Sequence, residues 1–87
     1  MEAIDNVIQF LDCDYTNLRS LNVSGCTALI ELSCLHNQLS SEALNALFNS
    51  LNDKPVSKII RIGDNPGTYT CDTSIAEKKG WTVVAYN

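Results

Sequence analysis

The sequence predicts an α/β protein: a short right-handed solenoid with a parallel sheet along one side and an α/β cap at its C-terminal end. Two observations support this prediction. Residues 7–18 and 28–39 resemble each other at a constant offset of 21 positions, and the same apolar pattern returns at 60–62 after a helical interruption. A solenoid turn cannot bury its apolar edge alone, so equivalent positions in successive turns must carry similar residues that stack on one another.

The repeated segments consist of short extended pieces followed by polar turns. LDC, LNV and LSC alternate one inward and one outward residue, as strands do, and turn-prone pieces such as SGCT and LHNQ follow them. A period of about 20 to 29 residues with the pattern L-x-x-L-x-L-x-x-N/C-x-L is typical of a leucine-rich repeat. At the offset of 21 the matching positions are Ile8 with Leu29, Leu11 with Leu32, Cys13 with Cys34, and Leu18 with Leu39. We therefore expect residues 1–39 to form leucine-rich repeat coils. The first coil should be incomplete or altered, because the offset aligns Glu2 with Val23.

The period changes after residue 39 from that of a strand to that of a helix. Ser40 or Ser41 is placed to accept a first-turn N–H, so we predict a helix of about eleven residues that ends near Asn52. The residues at the i, i+3, i+4 and i+7 positions of its apolar face are Leu44, Leu47, Phe48 and Leu51.

A third strand is predicted where the repeat pattern returns. IRI at 60–62 followed by Asn65 has the spacing of LSC at 32–34 followed by Asn37. The offset is 28 rather than 21, and the seven extra residues allow a helix to replace an extended return. We expect this strand to lie beside the second strand in the same parallel sheet.

The C-terminal residues predict a short helix and a final strand. The helix is expected from Asp72 or Thr73 to Lys79, and the glycine that follows supplies a left-handed stop. WTVVAY at 81–86 is predicted to be the last strand, at the edge of the sheet. Because a solenoid needs its terminal apolar face covered, residues 40–87 are predicted to form the C-terminal repeat and cap of a single-domain chain.

Composition and charge exclude several classes of partner. The 87 residues have a formal net charge of −4 and their six Lys and Arg residues do not cluster, whereas nucleic-acid binding needs a concentrated basic surface. No apolar run approaches the roughly 18 residues of a membrane span. No charged and apolar leader opens the chain, which begins within a repeat, so we expect the native protein to be longer. We predict no nucleic-acid partner, no membrane span and no signal peptide in this chain.

The four cysteines do not form a metal or redox motif. They are separated by 13, 8 and 37 positions, and the single His is too isolated to complete a zinc site, so we predict no metal and no cofactor. Cys13, Cys26 and Cys34 take inward repeat positions, where free and buried cysteines are common. Cys71 precedes a predicted helix, which lowers a thiol pKa if the residue is exposed, but packing beneath the cap is the favoured interpretation.

Asn37 and Asn65 take the Asn position of the repeat. We predict that both side chains point inward and bond to backbone groups where each strand bends. His36 aligns with Tyr15 and is expected at the surface. No nearby Ser, Cys or Asp stands at a recognisable catalytic spacing from it, so catalysis by His36 is not expected.

The outward row of the sheet is the candidate binding face. If LDC, LSC and IRI are neighbouring strands, their outward residues come into register, and solenoids commonly bind partners through such mixed surfaces. The same residues can equally be routine solvated positions on strands. The first row is Asp12, Ser33 and Arg61, the second is Asp14, Leu35 and Gly63, and the row at the rim is Tyr15, His36 and Asp64. All of these except Gly63 are candidate binding residues.

The run LRSLNVSGCTALIELSCLHNQLSSEALNALFNSL, followed by GDNPGTYTCDTSIAEKKGWTVV, resembles the C-terminal end of leucine-rich repeat proteins from the surface of gut-dwelling anaerobic bacteria. These repeats are distantly similar to the internalins. The resemblance implies a cell-surface or secreted location and a protein or glycan partner, but no motif that defines a ligand.

Two functions follow from this reading. The first is a non-catalytic binding module with an unidentified ligand, and the second is a structural cap that ends a longer repeat array and binds nothing itself. An enzyme is not expected, because no nucleophile, metal cluster or phosphate loop is present. The N-terminal coil also lacks a cover beyond residues 1–7, so we predict a two-fold dimer through its apolar edge. That edge consists of Ile8, Leu11, Cys13, Leu18, Leu21 and Val23.

Overall fold

The computed structural model describes residues 1–86 and places four parallel strands in one sheet, in chain order. The α/β class, the parallel sheet and the position of the last strand at an edge are confirmed. Asn87, the last residue of the predicted cap, lies outside the described residues. The strands are β1 (Phe10–Asp12), β2 (Glu31–Ser33), β3 (Lys58–Arg61) and β4 (Trp81–Val84), and the helices are α1 (Ser41–Ser50) and α2 (Ser74–Glu77).

The register of the sheet follows the spacing of the sequence. Leu11 in β1 lies beside Leu32 in β2, and Leu32 lies beside Ile60 in β3. These are the pairs expected from offsets of 21 and 28 residues, so the predicted alignment of the three strands is confirmed. β4 continues the sheet with Val83 beside Ile60 but ends at Val84, two residues before the predicted end of that strand.

Helix α1 begins where its sequence predicts and ends slightly earlier. The hydroxyl of Ser40 accepts a hydrogen bond from the backbone N–H of Ala43, which satisfies one of the unpaired donors of the first turn. The helix ends at Ser50 rather than near Asn52. Its buried face packs on the sheet through Leu44, Leu47 and Phe48.

Helix α2 is shorter than predicted. It begins at Ser74 and ends at Glu77, whereas the sequence suggested an end at Lys79. The residues after it form a turn, and Gly80 then takes a φ of 88°, the left-handed conformation expected of a helix stop. Ala76 is the buried residue of this short helix.

The N-terminal segment differs from the predicted repeat. The segment LNV at 21–23 was expected to be extended, and the offset of 21 aligned Glu2 with Val23. The structure instead pairs Glu2 with Asn22 in a single parallel bridge. The backbone N–H of Asn22 donates to the carbonyl of Met1 at 2.8 Å. The offset of this bridge is therefore 20 rather than the 21 expected from the sequence.

Burial is uneven along the sheet. Leu32 and Ile60 in the central strands are fully buried, whereas Leu11 in β1 is only partly buried. Helices α1 and α2 and the Trp81 side chain cover the C-terminal side of the core. No helix among residues 1–86 has the length and apolar character required to cross a membrane.

Candidate functional site

Three side chains at the rim of the sheet form a continuous row, which we call the rim row: Tyr15, His36 and Asp64. Each residue follows the last residue of its strand by three positions. The Tyr15 and His36 rings are stacked, with centroids 4.3 Å apart and an angle of 16° between their planes. Nδ1 of His36 lies 2.6 Å from Oδ2 of Asp64. The sequence placed these residues in one row, and the structure brings them into direct contact.

The backbone of the rim row is left-handed at every position. φ is 57° at Tyr15, 56° at His36 and 57° at Asp64. This conformation is uncommon for residues other than glycine and costs about 1 kcal/mol or more at each site. The three loops repeat the same turn, which aims the three side chains in the same direction.

The sequence placed Asp64 in one row with His36 but did not predict a contact between them. No Asp stood at a recognisable spacing from His36, yet Asp64, 28 positions later, contacts it through space. The side chain of His36 is 21% exposed and that of Asp64 is 68% exposed. Among residues 1–86, this contact is the single side-chain hydrogen bond of His36. The Asp64 carboxylate therefore orients the imidazole against the Tyr15 ring.

Two shallow depressions flank the rim row, and Asp64 lines both of them. The larger has a volume of about 370 Å³ and the smaller of about 210 Å³. The smaller depression adds Tyr69 and Tyr86, whose rings are largely exposed. Neither tyrosine occupies a repeat position, so the sequence pattern did not indicate them. The larger depression is lined by His36, Asn37, Gln38, Asp64, Asn65 and Pro66.

The other candidate residues on the outward face form hydrogen bonds within the sheet and its loops. Asp14 accepts hydrogen bonds from the Ser33 hydroxyl at 2.7 Å and from the Leu35 N–H at 2.8 Å. Its carboxylate therefore joins the loop after β1 to β2 and the loop that follows. Arg61 is in register with Ser33 and donates to Glu31 at 3.0 Å.

Asp12, the remaining carboxylate on this face, is used within its own turn. It is in register with Ser33 in β2, as the sequence predicts. Its Oδ1 accepts a hydrogen bond from the Asp14 N–H at 2.9 Å. The side chain remains exposed, so its other oxygen is open to solvent.

The Asn37 side chain closes the turn after β1. Its Oδ1 accepts from the N–H groups of Thr16 at 3.0 Å and Leu18 at 2.9 Å. Its Nδ2 donates to the carbonyl of Cys13 at 2.9 Å. Since Asn37 is buried, these bonds satisfy backbone groups that the turn removes from water.

Asn65 closes the turn after β2 with equivalent hydrogen bonds. Its Oδ1 accepts from the Leu39 N–H at 3.1 Å, and its Nδ2 donates to the carbonyls of Cys34 and Ile62 at 3.0 Å. The buried Thr68 hydroxyl also donates to the Ile62 carbonyl, at 2.7 Å. The two asparagines hold the loops from which the rim row projects.

The cysteines are free thiols within the core or beside it. Cys13, Cys26 and Cys34 are buried, and Cys71 is partly buried. Burial raises the pKa of the Cys34 thiol to about 12, and nearby Cys13 and Asp14 raise it further. Burial also raises the pKa of Cys71, so the lowered value considered for an exposed residue before a helix does not apply.

Lys58 is a buried cation that the sequence analysis did not anticipate. Its ammonium donates to the carbonyls of Asn52 at 3.1 Å and Lys79 at 2.7 Å, and lies 5.3 Å from the centre of the Trp81 ring. Burial lowers the pKa of Lys58. This cluster lies at the amino ends of the strands, whereas the rim row lies beyond their carboxyl ends.

Searches against protein-family models, curated proteins and solved structures gave no match for this chain.

Proposed function

We propose that this chain is a non-catalytic binding module, part of a leucine-rich repeat solenoid from a bacterial surface or secreted protein, and that it binds through the rim row. The observation that supports this most strongly is the stacked Tyr15 and His36 pair held by Asp64. The ligand is a protein segment or a glycan. The repeat period and the in-register strands support the solenoid part of the proposal.

Backbone conformation supports a recognition role for the rim row. Left-handed residues other than glycine persist only where the surrounding structure enforces them, and they concentrate at binding and active sites. Of the three residues, Tyr15 gives the strongest evidence for a constrained backbone, because Asn, Asp and His tolerate the left-handed conformation better than Tyr does. Its ring is nonetheless exposed and held flat against His36.

The chemistry of the surface suits a ligand with both apolar and polar faces. Exposed tyrosine rings bury large area on contact at a low cost in side-chain entropy. Asp64 lies between the two depressions and offers a carboxylate acceptor to either. Gln38 adds an exposed amide at the edge of the larger depression.

A binding screen of the whole chain tests the proposal. The labelled protein is applied to arrays of oligosaccharides and of extracellular-type peptides, beside Tyr15→Ser and Asp64→Asn. We expect a shared set of hits that both substitutions abolish. The matched control is Val56→Ser, which removes an exposed apolar side chain just before the amino end of β3, away from the rim row. This variant should bind as the native chain does. Hits that survive both rim substitutions would place the binding surface elsewhere.

The alternative function is a structural cap with no ligand of its own. It is favoured by the closed C-terminal side, where Trp81 and Ala76 are buried and Lys58 ties the loops together. If the native chain binds nothing in the screen, while deletion of residues 74–86 exposes the core and causes aggregation, the cap is the better description.

A further inference from the structure

The N-terminal segment, residues 1–14, which contains the edge strand β1, is less covered than the rest of the core, and we call it the N-terminal edge. Leu11 in β1 is partly buried where its neighbour Leu32 is fully buried, and Ile8 is partly buried where its repeat equivalent Leu29 is fully buried. Uncovered apolar surface of this kind marks interaction sites. Four large apolar side chains there are each more than half exposed: Met1, Ile4, Val7 and Phe10.

Within the N-terminal edge, β1 has backbone groups that are not bonded to β2. β1 is an edge strand, and its bonds to β2 involve the carbonyl of Gln9, which accepts from Glu31 at 3.0 Å, and the N–H of Cys13, which donates to Ser33 at 2.8 Å. Alternate residues of a strand direct their backbone groups to opposite sides. The N–H and C=O groups of Phe10 and Asp12 therefore face the free edge. An added strand can pair with them.

The whole net charge of the chain is concentrated at this edge. Residues 1–18 contain four carboxylates and no Lys or Arg, and the rest of the chain contains six acidic and six basic residues. Glu2, Asp5 and Asp12 are exposed. The edge is therefore both apolar and acidic, whereas the remaining surface is electrically balanced.

We propose that the N-terminal edge binds an extended segment of another protein in which apolar and basic side chains alternate, added to β1 as a fifth strand. The free groups of Phe10 and Asp12 supply main-chain hydrogen bonds, the exposed apolar side chains supply contact area, and the carboxylates pair with Lys or Arg. A helix does not fit, because its own backbone groups are already paired.

The charge pattern favours this occupant over a second copy of the chain. A two-fold dimer through this edge would bring the exposed carboxylates of Glu2, Asp5 and Asp12 in one copy towards those of the other. Charged residues on edge strands are a common means of preventing such self-pairing, and the same charges attract a partner of opposite sign. The dimer expected from the sequence becomes a competing outcome of the test.

The test uses the full ¹⁵N-labelled chain and two synthetic peptides of about nine residues, one alternating Lys with Val and the other alternating Glu with Val. The Lys–Val peptide is expected to shift the amide signals of residues 1–13 and to slow hydrogen exchange at Phe10 and Asp12. Raising the salt from about 0.02 M to about 0.3 M should weaken binding, because these exposed charges are screened. The Glu–Val peptide is expected to cause no such shifts.

A charge variant and a matched control sharpen the result. Asn in place of Asp retains the side-chain oxygen that accepts backbone N–H groups at positions 5 and 12, so the turns are preserved. The charge variant is Glu2→Gln, Asp5→Asn and Asp12→Asn, and its control is Glu42→Gln, Asp53→Asn and Glu77→Gln. Affinity for the Lys–Val peptide should fall about 3- to 30-fold in the charge variant. In the control it should change less than about twofold, although both proteins carry the same net charge.

Three outcomes would overturn the proposal. Equal losses in the charge variant and its control would show general attraction to a negative protein. Equal binding of the two peptides would show that charge does not select the partner. Self-association across a hundredfold dilution in light scattering, with the same amides shifting and no peptide bound, would identify a second copy as the occupant.

Discussion

His36 and Asp64 meet through a hydrogen bond of 2.6 Å between Nδ1 and Oδ2, although 28 positions separate them in the chain. The bond links the loop after β2 to the loop after β3. Because the Asp64 side chain is 68% exposed, solvent screens the attraction and the pair contributes little to stability. What it does determine is the orientation of the imidazole against the Tyr15 ring.

Replacement of Asp64 by Ala is therefore expected to lower the free energy of unfolding by less than about 1 kcal/mol. The His36 ring should lose its fixed orientation, and the ring-current shifts that Tyr15 imposes on its protons should shrink. NMR spectra and urea unfolding measure the two effects separately. Asp53→Ala, at an exposed carboxylate outside the rim row, should change neither. A large loss of stability in Asp64→Ala would mean that the pair is structural.

Replacement of Asn37 by Ala is expected to destabilise the protein by about 1 to 3 kcal/mol, because it removes the donor to the buried Cys13 carbonyl and the acceptor of the part-buried N–H groups of Thr16 and Leu18. Thermal or urea unfolding measures the change. Asn49→Ala is the matched control, since Asn49 is exposed on α1 and its side chain bonds within that helix. An unfolding midpoint that Asn37→Ala leaves unchanged would remove the structural role assigned to this side chain.

Thiol labelling should distinguish the four cysteines by burial. Cys71 is partly buried and is expected to react first, while Cys13, Cys26 and Cys34 should react only as fast as the chain unfolds. Mass spectrometry after timed alkylation gives the order. All four thiols should react in denaturant without reductant. Four rapidly labelled thiols in the native state would contradict the buried assignment.

Stability should fall in alkaline solution as the Cys34 thiol ionises in the unfolded chain. The folded-state pKa of Cys34 is about 12, against a reference value of 9.0, so between these values the unfolded chain binds fewer protons than the native one. The free energy of unfolding then decreases with pH, by at most about 1.4 kcal/mol per pH unit from this group.

Comparison with Cys34→Ala isolates this contribution, since other titrating groups act equally on both proteins. The stability advantage of the native chain over the variant should be constant below pH 9 and should shrink towards pH 12. Urea unfolding at several pH values measures it. Parallel curves for the two proteins across this range would exclude the effect.

Replacement of Lys58 by Met should cost about 1 to 3 kcal/mol, although it keeps the apolar length of the side chain. The carbonyls of Asn52 and Lys79 lose their ammonium donor, and the Trp81 ring loses the nearby cation. Trp81 fluorescence reports both the local change and the unfolding midpoint. Lys54→Met, at an exposed position of the preceding loop, is the control and should be nearly neutral.

Most of the sheet could be predicted from the sequence, because the spacing of apolar residues determines the register of its strands. Leu11, Leu32 and Ile60 were aligned by offset alone, and the structure pairs them. The boundaries of α2 were less predictable, since this helix ends at Glu77, where a short turn to Gly80 replaces another helical turn. Lys58 was missed because a strand lysine is ordinarily exposed, and its acceptors come from residues 52 and 79.

The sequence by itself determined which apolar positions lie side by side in β1, β2 and β3, since similar residues recur at offsets of 21 and 28, and it placed the rim row in one line. Only the tertiary structure decided what those residues do to one another. Whether Tyr15 stacks on His36 and whether His36 reaches Asp64 depend on the lateral distance between strands and on the left-handed turns that aim the side chains. Contacts of this kind join residues 21 and 28 positions apart, so no local pattern contains them.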